Sequence, residues 1–232
     1  MIKHYLKVAF RNLAKYKTQT LVSIIGLAVG FTCFALSVLW IRYEMTYDTF
    51  HEGADRIYMV RAHYTDSPGS ISNSTPYPLS SYLQEKMPEI EAAASTSIYR
   101  EMKFRMGDNE HEVVMAAADS VFMNFFNIQL LKGTVNFLKE NDPEIAITEE
   151  FARKLFGNEE DALGKEVELN GRSRKIGAIV SGWSRHSNIP YSVLVSARHY
   201  PRWGSKGEQL FVRVRAGAVS YTHLRAHETT LH

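Results

Sequence analysis

His51 lies between two aspartates, Asp48 and Asp55, and this group of side chains is the first place to look for chemistry. An imidazole and nearby carboxylates can bind a metal ion or transfer a proton. One histidine between two aspartates is weak evidence for such a site, and the sequence favours a surface histidine instead. The same prediction holds for three histidines that lie among polar neighbours: His63, His111 and His186.

Motifs of the common enzyme classes are missing from the sequence. Gly157 to Lys165 contains a Gly-Lys pair, but its spacing differs from that of a phosphate-binding loop, and Glu166 stands where a hydroxyl residue is required. No C-x-x-C, H-E-x-x-H or G-x-S-x-G occurs either. We therefore predict no catalytic residue, no cofactor and no bound metal, and we expect that the chain is not an enzyme.

Composition excludes several further classes. The chain has 232 residues, of which 45% are apolar and 22% charged, so it is neither a disulfide miniprotein nor a disordered tail. Its one cysteine, Cys33, has no partner within the chain. A net charge of +2 argues against nucleic acid as a partner, because such binding needs a concentrated basic face.

A run of 24 uncharged residues separates Lys17 from Arg42. A helix of that length measures about 36 Å, which exceeds the roughly 30 Å hydrocarbon core of a bilayer. The run is longer than the apolar part of a signal peptide, and Trp40, Arg42 and Tyr43 give it an interfacial border. We predict an uncleaved transmembrane helix over residues 18–42.

Residues 1–17 are predicted to form a basic amphipathic helix suited to the cytoplasmic headgroup layer. Apolar residues recur there at three- and four-residue spacing, and all five charges are basic: Lys3, Lys7, Arg11, Lys15 and Lys17. A solvated basic leader is the alternative. Because the basic flank precedes the span, the amino terminus should be cytoplasmic and residues 43 onward periplasmic.

Gly26 and Gly30 form a G-x-x-x-G pair within the predicted span. Small residues one turn apart let a second helix approach closely in a membrane. We therefore predict that these two glycines contact another transmembrane helix.

Residues 43–218 are predicted to form an α+β domain. Strands are expected at 57–64, 144–147, 193–196 and 210–214, with a loop at 67–76. Helices should follow Pro78, Asp119 and Thr148, and hairpins should turn at 107–109 and at Asn170-Gly171. The mixed order and the hairpins favour α+β over a doubly wound sheet.

The segment after the span resembles MacB/FtsX-type permeases of ABC transporters, in the version found in Bacteroidetes. Its matching residues are Tyr47, Asp48, Phe50, His51, Asp55 and Arg56. Further matches, in the family's order, are Ala9 to Leu13, Gly26 to Gly30, Pro88 to Glu91, Ala118-Asp119 with Phe122, Phe125-Phe126, Leu131 with Gly133, Ala152 to Gly157 and Ser187 to Ile189. The resemblance covers residues 1 to about 215.

The resemblance implies a permease subunit in the bacterial inner (plasma) membrane, with residues 43–218 as its MacB-like periplasmic core domain. A separate cytoplasmic ATP-binding subunit would hydrolyse ATP, and movement of the periplasmic domain would export or release the substrate. Implied partners are membrane lipid and either a second permease copy or further carboxy-terminal spans. The family has at least three more membrane helices, so we expect this chain to be an amino-terminal fragment.

The alternative is a single-span, membrane-anchored extracytoplasmic binding or sensor module. An anchored hydrolase is less favoured, because no catalytic group is assembled. Residues 219–232 match nothing in the family and are expected to be an irregular, non-native tail. His223 and His227 lie four positions apart there, but a metal site is not favoured.

Overall fold

The structure, a computed structural model, describes residues 2–64, 69–140, 142–183 and 187–217, without the side chains of residues 2, 3, 6, 9 and 10. The chain divides into two compact units, Met1–Tyr47 and Asp48–His232. The expected tail at 219–232, residues 67 and 68 of the predicted loop, and His186 lie outside the described residues.

The first unit contains two helices, α1 (Ile2–Lys15) and α2 (Lys17–Met45). No residue of α2 is buried, and among the described residues α2 alone is long and apolar enough to cross a membrane. The hydroxyls of Thr32 and Ser37 each donate a hydrogen bond of 2.8 Å to the carbonyl four positions earlier. These two hydroxyls are therefore satisfied within the helix, which is what a lipid environment would require of them.

The second unit is built from three α-helices and twelve strands within its described residues. The helices are α3 (Pro78–Lys86), α4 (Ser120–Phe125) and α5 (Glu149–Phe156). The strands are β1 (Ile57–Val60), β2 (Ala62–His63), β3 (Ile71–Ser72), β4 (Ile90–Thr96), β5 (Ile98–Met106), β6 (Asn109–Ala118), β7 (Leu130–Gly133), β8 (Glu144–Thr148), β9 (Glu166–Leu169), β10 (Arg172–Val180), β11 (Val193–Ser196) and β12 (Gln209–Val214). The α+β prediction is confirmed.

Local signals place several of these elements. Asp119 caps α4 by accepting a hydrogen bond from the Phe122 amide, and Thr148 caps α5 in the same way. Asn170 and Gly171 both have positive φ, 49° and 78°, which is the geometry of a type I′ turn between β9 and β10. The predicted helices and hairpins are thus confirmed.

Other predictions about the strands are wrong in detail. The single strand expected at 57–64 breaks at Arg61, because β1 pairs with β12 whereas β2 pairs with β3. The loop expected at 67–76 includes β3. β4 and β7 were not predicted, because their pairing partners β12 and β10 lie far along the chain.

Six strands of the second unit close into a ring of pairings. The order is β10, β8, β11, β6, β5 and β9, and β9 then pairs back onto β10. β7 adds to the far half of β10, beyond the stretch that pairs with β9. A separate sheet has the order β1-β12-β4.

The two faces of the ring carry different cores. All six ring strands contribute to one buried cluster, which α5 completes through Phe151 and Ala152. Alternate residues of the same strands, such as Ala146 and Leu194, join a second cluster with α4 and with Phe211 of β12. The three-stranded sheet and α4 therefore pack on the outer face of the ring.

Candidate functional site

Residues 48–56, here called the connecting segment, follow α2 in the sequence and begin the second unit. Asp48 has φ of 56°, a left-handed conformation that aspartate tolerates better than most residues. Its carboxylate accepts hydrogen bonds from the Ser187 hydroxyl and from the backbone and side-chain amides of Asn188, the last at 2.8 Å. Charge-assisted bonds of this kind are among the strongest in proteins. The first residue of the segment is thus tied to a loop 139 positions later.

His51 packs in a group of aromatic rings. Its ring centroid lies 4.2 Å from that of Phe50, 5.1 Å from Phe126 and 4.7 Å from Trp183. The Nε2 atom is buried and has no hydrogen-bond partner among the described residues. Burial lowers the pKa of His51, the carboxylate of Asp48 opposes this, and the charge of Arg213 adds to it. The surface prediction for His51 is therefore wrong, and its imidazole is neutral at pH 7.

Arg56 ends the connecting segment with contacts on the three-stranded sheet. Its Nη1 group donates to Glu91 of β4 at 2.8 Å and to the carbonyl of Val214 of β12 at 3.1 Å. Both strands are thereby joined to the segment.

The remaining family-motif residues are placed differently. The ring of Tyr47, in the first unit, packs edge-on against Tyr43 at 5.8 Å. The carboxylate of Asp55 is exposed and forms no hydrogen bond or ion pair within the described residues. Asp55 therefore does not complete a metal site with His51 and Asp48.

Gly26 and Gly30 lie one turn apart on α2. A Cβ atom built at either position would meet nothing within 4 Å. The glycine face is sterically open, and its predicted contact with another helix stays a prediction.

The structure joins pieces of the family pattern that are far apart in the sequence. Asp48 meets Ser187 and Asn188, and His51 meets Phe126. Each of these segments could be identified from the sequence, but their contacts in the folded chain could not be predicted. Trp183 was missed entirely, because a single tryptophan after a strand carries no signal of a partner.

A second charged cluster surrounds His199, which the sequence analysis did not select. The Nε2 atom lies 3.0 Å from Asp119, and the Nδ1 atom lies 3.2 Å from Glu208. The Tyr77 ring stacks on the imidazole at 4.0 Å. The two carboxylates outweigh the effect of burial and raise the pKa of His199 to about 9. With both ring nitrogens engaged, the charged histidine links elements and is poorly placed to transfer a proton.

No constellation for catalysis is assembled around these clusters. Among the described residues, no three histidine, cysteine, aspartate or glutamate side chains are grouped so that they could hold a metal ion. His63 is exposed and His111 is half-buried, each away from the connecting segment. The connecting segment is held to the rest of the second unit by the separate contacts of Asp48, His51 and Arg56.

Comparisons with known proteins agree with this architecture. The family profile of the MacB-like periplasmic core domain matches residues 20–221. A crystal structure of a domain of a permease protein from Porphyromonas gingivalis is 25% identical with a TM-score of 0.60, covering 73% of this chain and 79% of that one. No curated protein sequence matched the chain.

Two more distant structures share the fold. One is the extracellular domain of the noncanonic ABC-type transporter YknZ from Gram-positive bacteria, with 14% identity, a TM-score of 0.50 and coverage of 69% of this chain and 83% of that one. The other is the periplasmic region of MacB from Actinobacillus actinomycetemcomitans, with 13% identity, a TM-score of 0.50 and coverage of 73% and 79%. By its profile match and fold, the chain belongs to the MacB-like periplasmic core domain family of ABC transporter permeases.

Proposed function

We propose that this chain is the amino-terminal part of a permease subunit of an ABC-type transporter. In this proposal a separate cytoplasmic subunit binds and hydrolyses ATP, and the resulting movement of the membrane helices changes the position of the periplasmic domain. The substrate is thereby exported or released. Family membership and the apolar helix that precedes the connecting segment support this assignment.

One observation carries the mechanical part of the proposal. Asp48 follows the end of α2 by three residues and is hydrogen-bonded to Ser187 and Asn188. His51 contacts Phe126, the residue after α4, and Arg56 contacts β4 and β12. Since these contacts involve several elements, a displacement that reaches Asp48 would move the domain as a body.

The test is reconstitution of the whole permease, with this chain as its amino-terminal part, together with its ATP-binding subunit in lipid nanodiscs. We expect the two subunits to copurify and to hydrolyse ATP only together. Asp48→Ala should weaken the link between ATP hydrolysis and domain movement, measured by a fluorescent reporter on the domain. Asp55→Ala is the matched control, because the exposed Asp55 carboxylate makes no ion pair or hydrogen bond within the described residues. Hydrolysis of ATP without the ATP-binding subunit would overturn the assignment, and a folded permease that never copurifies with an ATP-binding subunit would favour an anchored sensor.

The proposed location is the bacterial inner membrane, with residues 1–17 in the cytoplasm, a span over 18–42 and the domain of residues 43–218 in the periplasm. The test uses a chain in which Cys33 is replaced by serine and a single new cysteine is added. Ile71→Cys, at a side chain that is 66% exposed, should react with a membrane-impermeant thiol reagent in intact spheroplasts. Lys15→Cys should react only after lysis, and the reverse pattern would invert the topology.

A further inference from the structure

A cleft of about 480 Å³ opens beside the connecting segment, next to the paired strands β1 and β12. Small-molecule sites in proteins commonly have volumes of about 300–1,000 Å³. Six apolar side chains line part of the cleft: Ala54, Ile57, Met59, Phe126, Ile189 and Phe211. The cleft therefore offers an apolar surface of the right size for a small ligand.

Two arginines give the same cleft a positive charge. Arg61 follows β1 and Arg100 belongs to β5, and both line the cleft with exposed side chains. Within the described residues neither guanidinium forms a hydrogen bond or an ion pair. Free arginines beside an apolar surface are suited to a carboxylate or phosphate, which their planar donor groups can bind in a bidentate manner.

The other ionisable groups of the cleft do not cancel this charge. The one lining carboxylate among the described residues belongs to Asp48, and its single negative charge offsets only one of the two arginines, so the lining stays positive. His51 is neutral, as its buried position requires. Glu101 follows Arg100 in the chain but does not line the cleft.

We propose that this cleft binds a small amphipathic anion, whose apolar body packs against Ile57 and Met59 and whose carboxylate or phosphate pairs with Arg61 and Arg100. A cationic ligand would be repelled by both arginines. A purely polar anion would make no contact with the apolar part of the lining, of which Ile57 and Met59 are partly exposed. This binding site goes beyond the proposed permease function, because it needs neither ATP nor a partner subunit.

The test uses a decanoate that carries a photoactivatable diazirine on its alkyl chain. The full chain in lipid nanodiscs is irradiated with this probe, and labelled peptides are mapped by mass spectrometry. We expect labels within residues 57–61 and 209–211. An excess of octanoate or octyl phosphate should remove them, whereas octanol and octyltrimethylammonium should not.

Two variants measure the role of charge. The double variant Arg61→Gln with Arg100→Gln should lower labelling of the cleft about tenfold, which is the loss expected for charge-assisted hydrogen bonds. Arg172→Gln, an exposed arginine of β10 that does not line the cleft, is the control and should label normally. Unchanged thermal unfolding would show that both variants are folded.

Three results would overturn the proposal. Labels confined to α2 would mean that the probe only partitions into the membrane. Equal competition by octanol would remove the requirement for an anion. Labelling of the double variant at the level of Arg172→Gln would show that the two arginines play no part. None of these results depends on ATP hydrolysis, so failure here is distinct from failure of the permease assignment.

Discussion

Asp48 and Ser187 are hydrogen-bonded to each other although 139 positions separate them in the chain. The first of these residues opens the connecting segment, and the second begins the Ser187-Asn188-Ile189 loop, whose Asn188 also donates to Asp48. The Ser187 hydroxyl in turn accepts a hydrogen bond from the amide of Ile189 at 3.1 Å. One carboxylate therefore fixes both the start of the domain and the conformation of a distant loop.

Removal of this carboxylate should destabilise the domain. We expect Asp48→Ala to lower the free energy of unfolding by about 1–3 kcal/mol, because Ser187 and Asn188 lose a charged acceptor. A double-mutant cycle with Ser187→Ala, measured by chemical denaturation, should give a coupling energy of at least about 0.5 kcal/mol. Additive effects of the two substitutions would contradict a direct interaction.

His199 should make the domain sensitive to alkaline pH. Its pKa in the folded state is about 9, above the ordinary value of 6.5. The contribution of the charged histidine is complete below pH 6.5 and is lost as the pH rises through about 9. We expect His199→Gln to lower the midpoint of thermal unfolding at pH 7 and to remove part of the decline between pH 7 and 10. His63→Gln, at an exposed site, should leave that decline unchanged.

His51 should act in the opposite direction. Burial lowers its pKa below the ordinary value of 6.5, so the unfolded chain binds a proton more readily and stability is lost as the pH falls below 6.5. Phenylalanine keeps an aromatic ring between Phe126 and Trp183 and removes the unpartnered Nε2 atom. We expect His51→Phe to reduce the loss of thermal stability between pH 7 and 5.

His51→Ala serves as the comparison, because it removes the titrating group and the ring together. It should lower the unfolding midpoint at every pH through lost packing. If wild type and His51→Phe lost the same thermal stability between pH 7 and 5, other groups would be the cause of the acid sensitivity.

Gly133 should tolerate substitution far less than Gly171, although both have positive φ. A Cβ atom at Gly133 would lie 2.2 Å from the carbonyl oxygen of Gly177, whereas one at Gly171 meets nothing within 4 Å. Gly171→Ala should therefore cost about 1–2 kcal/mol of unfolding free energy from the backbone conformation alone. Gly133→Ala should cost at least about 1–3 kcal/mol more, through displacement of β7 from β10. Equal costs in denaturant titrations would contradict this close approach.

Gly26 and Gly30 offer a test of helix association in the membrane. If another helix packs on this open face, replacing both glycines by leucine should weaken association in a membrane two-hybrid assay. Ala28→Leu, which lies between them on a different face of α2, should have little effect. Equal association of all three forms would show that the glycine face has no helix partner.

Features that depend on residues a few positions apart in the sequence were predicted correctly, whereas features that depend on distant residues were not. The caps at Asp119 and Thr148 and the turn at Asn170-Gly171 involve residues a few positions apart, and all were predictable. β4 was not, because its run of three alanines has low strand propensity and is a strand through its pairing with β12. The break at Arg61 likewise depends on β12 and β3, which compete for neighbouring parts of one apolar run.

The candidate site shows the same limit. The motif from Tyr47 to Arg56 could be recognised as a continuous stretch of sequence. Its contacts with Ser187, Trp183 and Glu91 could not be predicted, because nothing in the sequence indicates that these residues lie close to it. The surface prediction for His51 failed because the aromatic rings that bury it come from positions 126 and 183. Polar neighbours in the sequence were a poor guide to neighbours in space.

Closure of the six-strand ring has a consequence for the order in which the domain folds. The turn at Asn170-Gly171 brings β9 to β10 at once, whereas its pairing with β5 joins Leu169 to Phe104, which lies far earlier in the chain. Pairings over such separations are slow, because chain entropy is lost before the contact forms. Until β9 pairs with it, the edge of β5 at Phe104 and Arg105 is open to pairing with a strand of another molecule. β9 therefore covers the end of β5 at Phe104 and Arg105 and completes the buried cluster with Val167 and Leu169.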